Sequence, residues 1–264
     1  MKNFMHVLLA ISVVACSESE PNTNLGTSTG NALALLASSR GELSMTPSGS
    51  DTSGTLYTVE TASAYVREIN LEHNAASCAE LEASLSAEVT CYDSGNDGDK
   101  VELRIAGPFL FDLIARTSTP SLANLTLPTG TYSRIDVRFD DAESQEGIID
   151  DNHPIAEQTL IGSGTFTYEN VVRTFDLALK FNEDARFENN SGIEIQSDNN
   201  DIFLLLDVQE WFSGLPITDC LDDGDLSFDG NHLQIADDSG SCSDIENSIK
   251  EAIKRSGQLD RKDR

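Results

Sequence analysis

Residues 127–139, LPTGTYSRIDVRF, constrain the fold of this chain more than any other stretch. Pro128 and Gly130 mark a turn, because proline presets φ near about −65° and glycine tolerates positive φ. After the turn, Ser133, Ile135, Val137 and Phe139 fall on one face, and Tyr132, Arg134, Asp136, Arg138 and Asp140 on the other. A period of two is that of a half-buried antiparallel strand, and such a strand needs partners.

The chain supplies them. Runs at 42–46, 55–61 and 64–71 read as the first strands, with Tyr57, Val59, Tyr65, Val66, Ile69 and Leu71 as their apolar or aromatic members. Val101, Leu103 and Ile105 alternate, and a continuous apolar run follows Gly107 and Pro108 at 109–114. Segments 163–168 and 171–181 flank Glu169 and Asn170, a separation that suits a hairpin. A polar loop follows, and then 202–208, the most apolar segment outside the leader, reads as a central strand. It ends at Trp211 and Phe212, an aromatic pair that suits either a core plug or an exposed platform for sugar.

Helical signals are fewer. Residues 79–89 have the Ala, Leu and Glu content of a short helix. Ser243 and Glu246 form a capping-box pattern, Ile245, Ile249 and Ile253 share one face, and Gly257 stands where a C-terminal cap belongs. Many strands, few helices and no fixed-period repeat predict a mainly β chain, an antiparallel β-sandwich with a C-terminal amphipathic helix.

The N-terminus carries an address. Lys2 precedes an apolar run, 5–15, too short to span a bilayer. Val13, Val14, Ala15 and Cys16 resemble the lipobox of bacterial lipoproteins. That resemblance implies removal of 1–15 as a signal peptide and acylation of Cys16, which makes the membrane a partner through the lipid. Ser17 in place of Asp implies sorting to the outer membrane of the cell envelope. Residues 16–41 then read as a flexible tether reaching about 25–30 Å, with an apolar interruption at 33–37 left open. The sandwich is expected over 42–212, and an Asp-rich segment with the packed helix over 213–264.

Charge narrows the partners. The 264-residue chain has a formal net charge of −28, which repels a phosphate backbone and excludes nucleic acid as a partner. It attracts cations, and calcium is the candidate cofactor in an extracytoplasmic setting. Four cysteines remain in an exported chain, Cys78, Cys91, Cys220 and Cys242, and they allow three disulfide pairings. Local pairing closes two short loops, each worth roughly 3 kcal/mol in the chain-entropy model. The zinc alternative lacks any C-x-x-C pair.

Two Asp-rich stretches share a pattern: Asp93, Asp97 and Asp99 around Gly98, and Asp219, Asp223 and Asp225 around Gly224. Hard oxygen ligands with a glycine for a sharp turn are what a calcium loop requires, although Gly95 and Leu221 occupy the third ligand position. Asp150, Asp151 and His153 form the one compact group of carboxylates with an imidazole, in a polar loop at 140–151 closed by His153 and Pro154. No zincin, S-x-x-K or Walker pattern is present. The chain is therefore expected to be a non-catalytic binding or structural module that meets a glycan or protein partner. The alternative is a metal-dependent, carbohydrate-active hydrolase using the carboxylates around Asp150.

The order of pieces resembles a group of bacterial lipoproteins with a prealbumin-like β-sandwich. The matching features are Leu-Pro-x-Gly-x-Tyr at 127–132, Phe-Asp-Leu at 111–113 and Phe-Asp-Leu-x-Leu-x-Phe at 175–181. The resemblance spans roughly 42–212 and implies fold and compartment, while the two cysteine loops and the acidic C-terminal segment depart from it.

Overall fold

The structure, a computed structural model, describes residues 33–39, 42–43, 46–75, 77–93, 100–122, 125–195, 200–236, 240–255 and 257–263. The chain opens with β1 (Leu33–Ser39), β2 (Glu42–Leu43), β3 (Ser48–Ser50) and the long β4 (Leu56–His73). A short α1 (Cys78–Leu81) leads to β5 (Val89–Asp93), β6 (Val101–Asp112), β7 (Thr117–Thr119) and β8 (Gly130–Phe139). The hairpin β9 (Leu160–Tyr168) and β10 (Val171–Leu179) precedes β11 (Glu183–Ile195) and β12 (Asn200–Asp207). The rest comprises α2 (Val208–Phe212), α3 (Ile217–Asp223), β13 (His232–Ile235), α4 (Ile245–Arg255) and β14 (Gly257–Asp263).

These elements build a β-sandwich of a ten-stranded and a four-stranded sheet with the C-terminal helix packed on it. The large sheet follows the order β11-β8-β4-β9-β10-β13, with β6 along the other edge of β4. The small sheet has the order β14-β12-β1-β2. In it β12 is central, and Leu204, Leu205 and Leu206 are all buried, so both of its faces are covered. One continuous core joins Leu33 and Leu204 to Tyr57, Val137 and Ile249.

Several expectations change. The strands read at 55–61 and 64–71 are one, because the intervening Ala62 and Ser63 supply neither a glycine nor a proline to turn the chain. Irregularities between Val59 and Thr61 and between Val66 and Glu68 bend β4 instead of ending it. Likewise β6 runs unbroken through Gly107 and Pro108, which lie opposite that second bulge. A Cβ at Gly107 would stand 2.6 Å from the Arg67 carbonyl oxygen, so only glycine lets the two backbones pass there.

Residues 33–39, inside the segment expected as a tether, pair in parallel with β12. The segment read as a polar loop contains β11, whose buried Ala185 and Phe187 alternate with exposed Asp184, Arg186 and Glu188. Charged outward residues masked its period of two. Gly257 opens β14 and does not cap α4, and the Ser248 N–H donates to the carbonyl of Asp244, which therefore stands in the capping position expected of Ser243. Ile245, Ile249 and Ile253 are buried, as their spacing predicts. Glu169 and Asn170 both adopt positive φ, 49° and 62°, the geometry of a tight two-residue hairpin turn.

Candidate functional site

Partner exchange along β4 creates a cleft. Its first half, from Tyr57 to Ala64, pairs with β9, and its second half, from Val66 to His73, pairs with β8 on the same edge. The two partners therefore diverge like a fork, and the chain between them, 140–159, fills the gap. The Tyr65 N–H donates to the Thr159 carbonyl at 2.8 Å, and a small second core gathers Tyr65, Ala142, Ile149 and Ile155. The acidic run stays largely at the surface, and its few apolar residues dock it.

Charged groups pin the same loop. The Tyr65 hydroxyl donates to Glu146 Oε2 at 2.6 Å, and Arg67 reaches Asp140 and Glu146, each at 2.7 Å. Burial pushes the Tyr65 phenol well above its ordinary range, and the Glu146 carboxylate adds to the effect. The Asp141 carboxyl is held below its usual value by its hydrogen bond from Lys180, 2.9 Å away.

Beside this anchor lies a cleft of about 680 Å³ whose polar wall includes Asp141, Glu143, Asp151, His153, Glu157 and Lys180. Of the trio predicted as an alternative site, Asp151 and His153 face the cleft and Asp150 does not line it. Asp150 Oδ1 accepts the Asn152 N–H at 2.9 Å, and His153 Nδ1 accepts the Ile155 N–H at 3.3 Å. Both side chains thus support their own turn.

The Asp-rich stretches separate. Asp93 ends β5 and accepts the Cys78 N–H at 2.7 Å, while Asp97 and Asp99 lie outside the described residues. Asp219 and Asp223 stand on α3, so the second stretch is a helix and not a loop; Gly224, with φ 78°, is its cap. Helical hydrogen bonding has taken up the backbone that a calcium loop would wrap around an ion. Asp225 lies just beyond, against Gly240. Among the described residues, no three His, Cys, Asp or Glu side chains are grouped to hold a metal ion.

Both local disulfides are formed, Cys78–Cys91 and Cys220–Cys242, with Cα atoms 5.6 and 6.2 Å apart. Cys16 lies outside the described residues. Trp211 and Phe212 are fully buried, and Phe212 stacks on Tyr57 with ring centroids 4.8 Å apart, so they plug the core and offer no sugar platform.

Sequence reading missed two arrangements. Buried Asp51 accepts from Ser53 N, Thr55 N, Thr218 N and the Thr218 hydroxyl, tying the β3–β4 turn to α3. Its partners lie up to 167 positions away, so no local pattern announces it. The second is a face of alternating charge across β6, β4, β8 and β11. Its signal was present as every-other-residue charge, for example Arg134, Asp136 and Arg138.

Compared with known proteins, the chain matches no family model, no curated protein and no solved structure.

Proposed function

We propose that this chain is a lipid-anchored protein of the bacterial cell envelope, held at the outer membrane through Cys16. Its β-sandwich acts as a non-catalytic binding or structural module toward a glycan or protein partner, with calcium as a candidate stabilising ion. The observation that supports this reading is the pair of disulfides within one sandwich. Such bonds persist in oxidising compartments outside the cytoplasm, in agreement with the export leader. The resemblance to prealbumin-like lipoproteins points the same way.

The test is fractionation with mass analysis of the mature N-terminus. An acylated Cys16 as first residue in the membrane fraction, and release of Cys16→Ser into the soluble fraction, is the expected result. A soluble wild-type protein with an unmodified Cys16 thiol overturns the anchor.

One observation favours the hydrolase reading: Asp151 and His153 share a cleft wall with Asp141 and Glu143. Metal-dependent turnover of chromogenic glycosides, lost in a folded Asp151→Asn variant, establishes it. Turnover equal in wild type and variant removes it.

A further inference from the structure

The outward face of β6, β4, β8 and β11 differs from the rest of this acidic molecule. Register sets its side chains in rows. Arg104, Asn70, Asp136 and Arg186 stand side by side across the four strands, and Glu68, Arg138 and Asp184 form the row beside them. The third row holds Glu102, Glu72, Arg134 and Glu188. With neighbouring Lys100 the face has five basic and six acidic residues, one net negative charge on a chain whose total is −28.

These groups hold one another in place. Arg186 Nε lies 2.8 Å from Asp136 Oδ1, and Arg134 Nε lies 2.9 Å from Asp136 Oδ2. The Asn70 amide donates to Glu68 at 2.8 Å and accepts from Arg104 at 3.3 Å. A depression of about 360 Å³ sits among Glu68, Asn70, Asp136, Arg138, Asp184 and Arg186. At the edge, Tyr92 of β5 is 45% exposed, and the Arg104 guanidinium lies 4.8 Å from its ring centroid.

We infer that this face docks a neutral polysaccharide chain. The inference rests on the binding-module reading and names its ligand class. Charge decides between occupants. A polyanion is repelled by the molecule's field, and a polycation is drawn to its more acidic surfaces, so a face near neutrality is matched by an uncharged partner. Chemistry decides further. Guanidinium, carboxylate and amide groups are planar, present paired donors or acceptors, and suit the vicinal hydroxyls of a sugar. Because they are already fixed by mutual pairing, ligand binding orders few of them anew. Exposed Tyr92 adds an amphipathic ring at the rim. A protein interface wants a cluster of apolar anchors at its centre, and the centre of this face is Asn70 and Asp136.

The experiment is native affinity electrophoresis of the full chain, in a detergent without a sugar headgroup, through gels containing mixed-linkage β-glucan, xyloglucan, galactomannan or soluble starch. Polygalacturonate serves as the anionic control. At least one neutral polymer is expected to retard the protein while polygalacturonate does not. Tyr92→Ala and Arg186→Ala, both at exposed positions, should each bind about tenfold more weakly. Lys180→Ala, in the separate cleft, should bind like wild type. No retardation by any neutral polymer overturns the inference, as does retardation that both face variants retain. Self-association through this face without polymer binding also overturns it and marks a protein interface instead. Soluble Cys16→Ser chain should be retarded like wild type, so failure of the anchor and failure of the glycan face are read separately.

Discussion

The Tyr132 hydroxyl donates to the carbonyl oxygen of Pro128, 2.7 Å away, from a fully buried ring. The bond closes the LPTGTY turn on itself and joins it to the first residues of β8. Tyr132→Phe keeps the ring and leaves a buried carbonyl without its partner, which costs about 1–3 kcal/mol. Urea unfolding should show a lower midpoint with an unchanged slope. A wild-type midpoint in the variant would mean that the bond contributes nothing.

Gly130 sits in the same turn with φ 140°, and a Cβ there would meet His73 Nε2 at 2.4 Å. Backbone strain and a clash with a buried ring act together, so Gly130→Ala is expected to cost roughly 2 kcal/mol or more. At Gly214 a Cβ meets nothing within 4 Å. Gly214→Ala should therefore fall within about 0.5 kcal/mol of wild type. Equal thermal midpoints for the two variants would refute the role assigned to Gly130.

The same turn shows how far the sequence could be read. Alternation placed β8 correctly from Arg134 to Phe139, because each step there moves a side chain to the opposite face. It placed Tyr132 on the polar face, yet Tyr132 is buried, since Glu72 and His73 of β4 face Arg134 and Tyr132 of β8 with Ser133 bulged between them. One extra residue inverts every side chain beyond it, and no composition rule marks where it falls. The helix face of Ile245, Ile249 and Ile253 was legible because spacing alone decides it, whereas the four cysteines allowed three pairings, of which the two local ones that close short loops are formed. The cleft beside Lys180 and the charged face across four strands were not legible. They arise from which strands become neighbours, and β11 went unrecognised behind its charges.

His73 is 3% exposed, with Nε2 3.1 Å from the Thr129 carbonyl oxygen and its ring edge-on to Tyr132. Burial lowers its pKa from the usual 6.5, and the Thr129 hydrogen bond offsets this only in part. The unfolded chain then binds the proton more tightly than the folded one. His73 consequently contributes full stability above about pH 6.5 and loses it as pH falls from there toward the folded pKa. Thermal midpoints between about pH 7.5 and 5 should fall more steeply for wild type than for His73→Gln. Parallel curves would show that His73 takes up its proton over the same pH range folded and unfolded.

Asp219 and Asp223 lie one turn apart on α3, and the Asp219 carboxylate already accepts the Ser53 hydroxyl at 2.7 Å. A helix holds its carbonyls in internal hydrogen bonds, so it cannot wrap a cation as an oxygen-lined loop does. Any calcium stabilisation of the full chain should therefore survive Asp219→Asn with Asp223→Asn. The measurement is the thermal midpoint in excess calcium and in chelator at matched ionic strength. For wild type, a ligand at 100 times its dissociation constant adds about 2.7 kcal/mol. The double variant is expected to give the same calcium-dependent difference as wild type. If the difference shrinks only in the variant, the helix end around Gly224 and Asp225 opens to bind the ion, and the second Asp-rich stretch regains the role its spacing suggested.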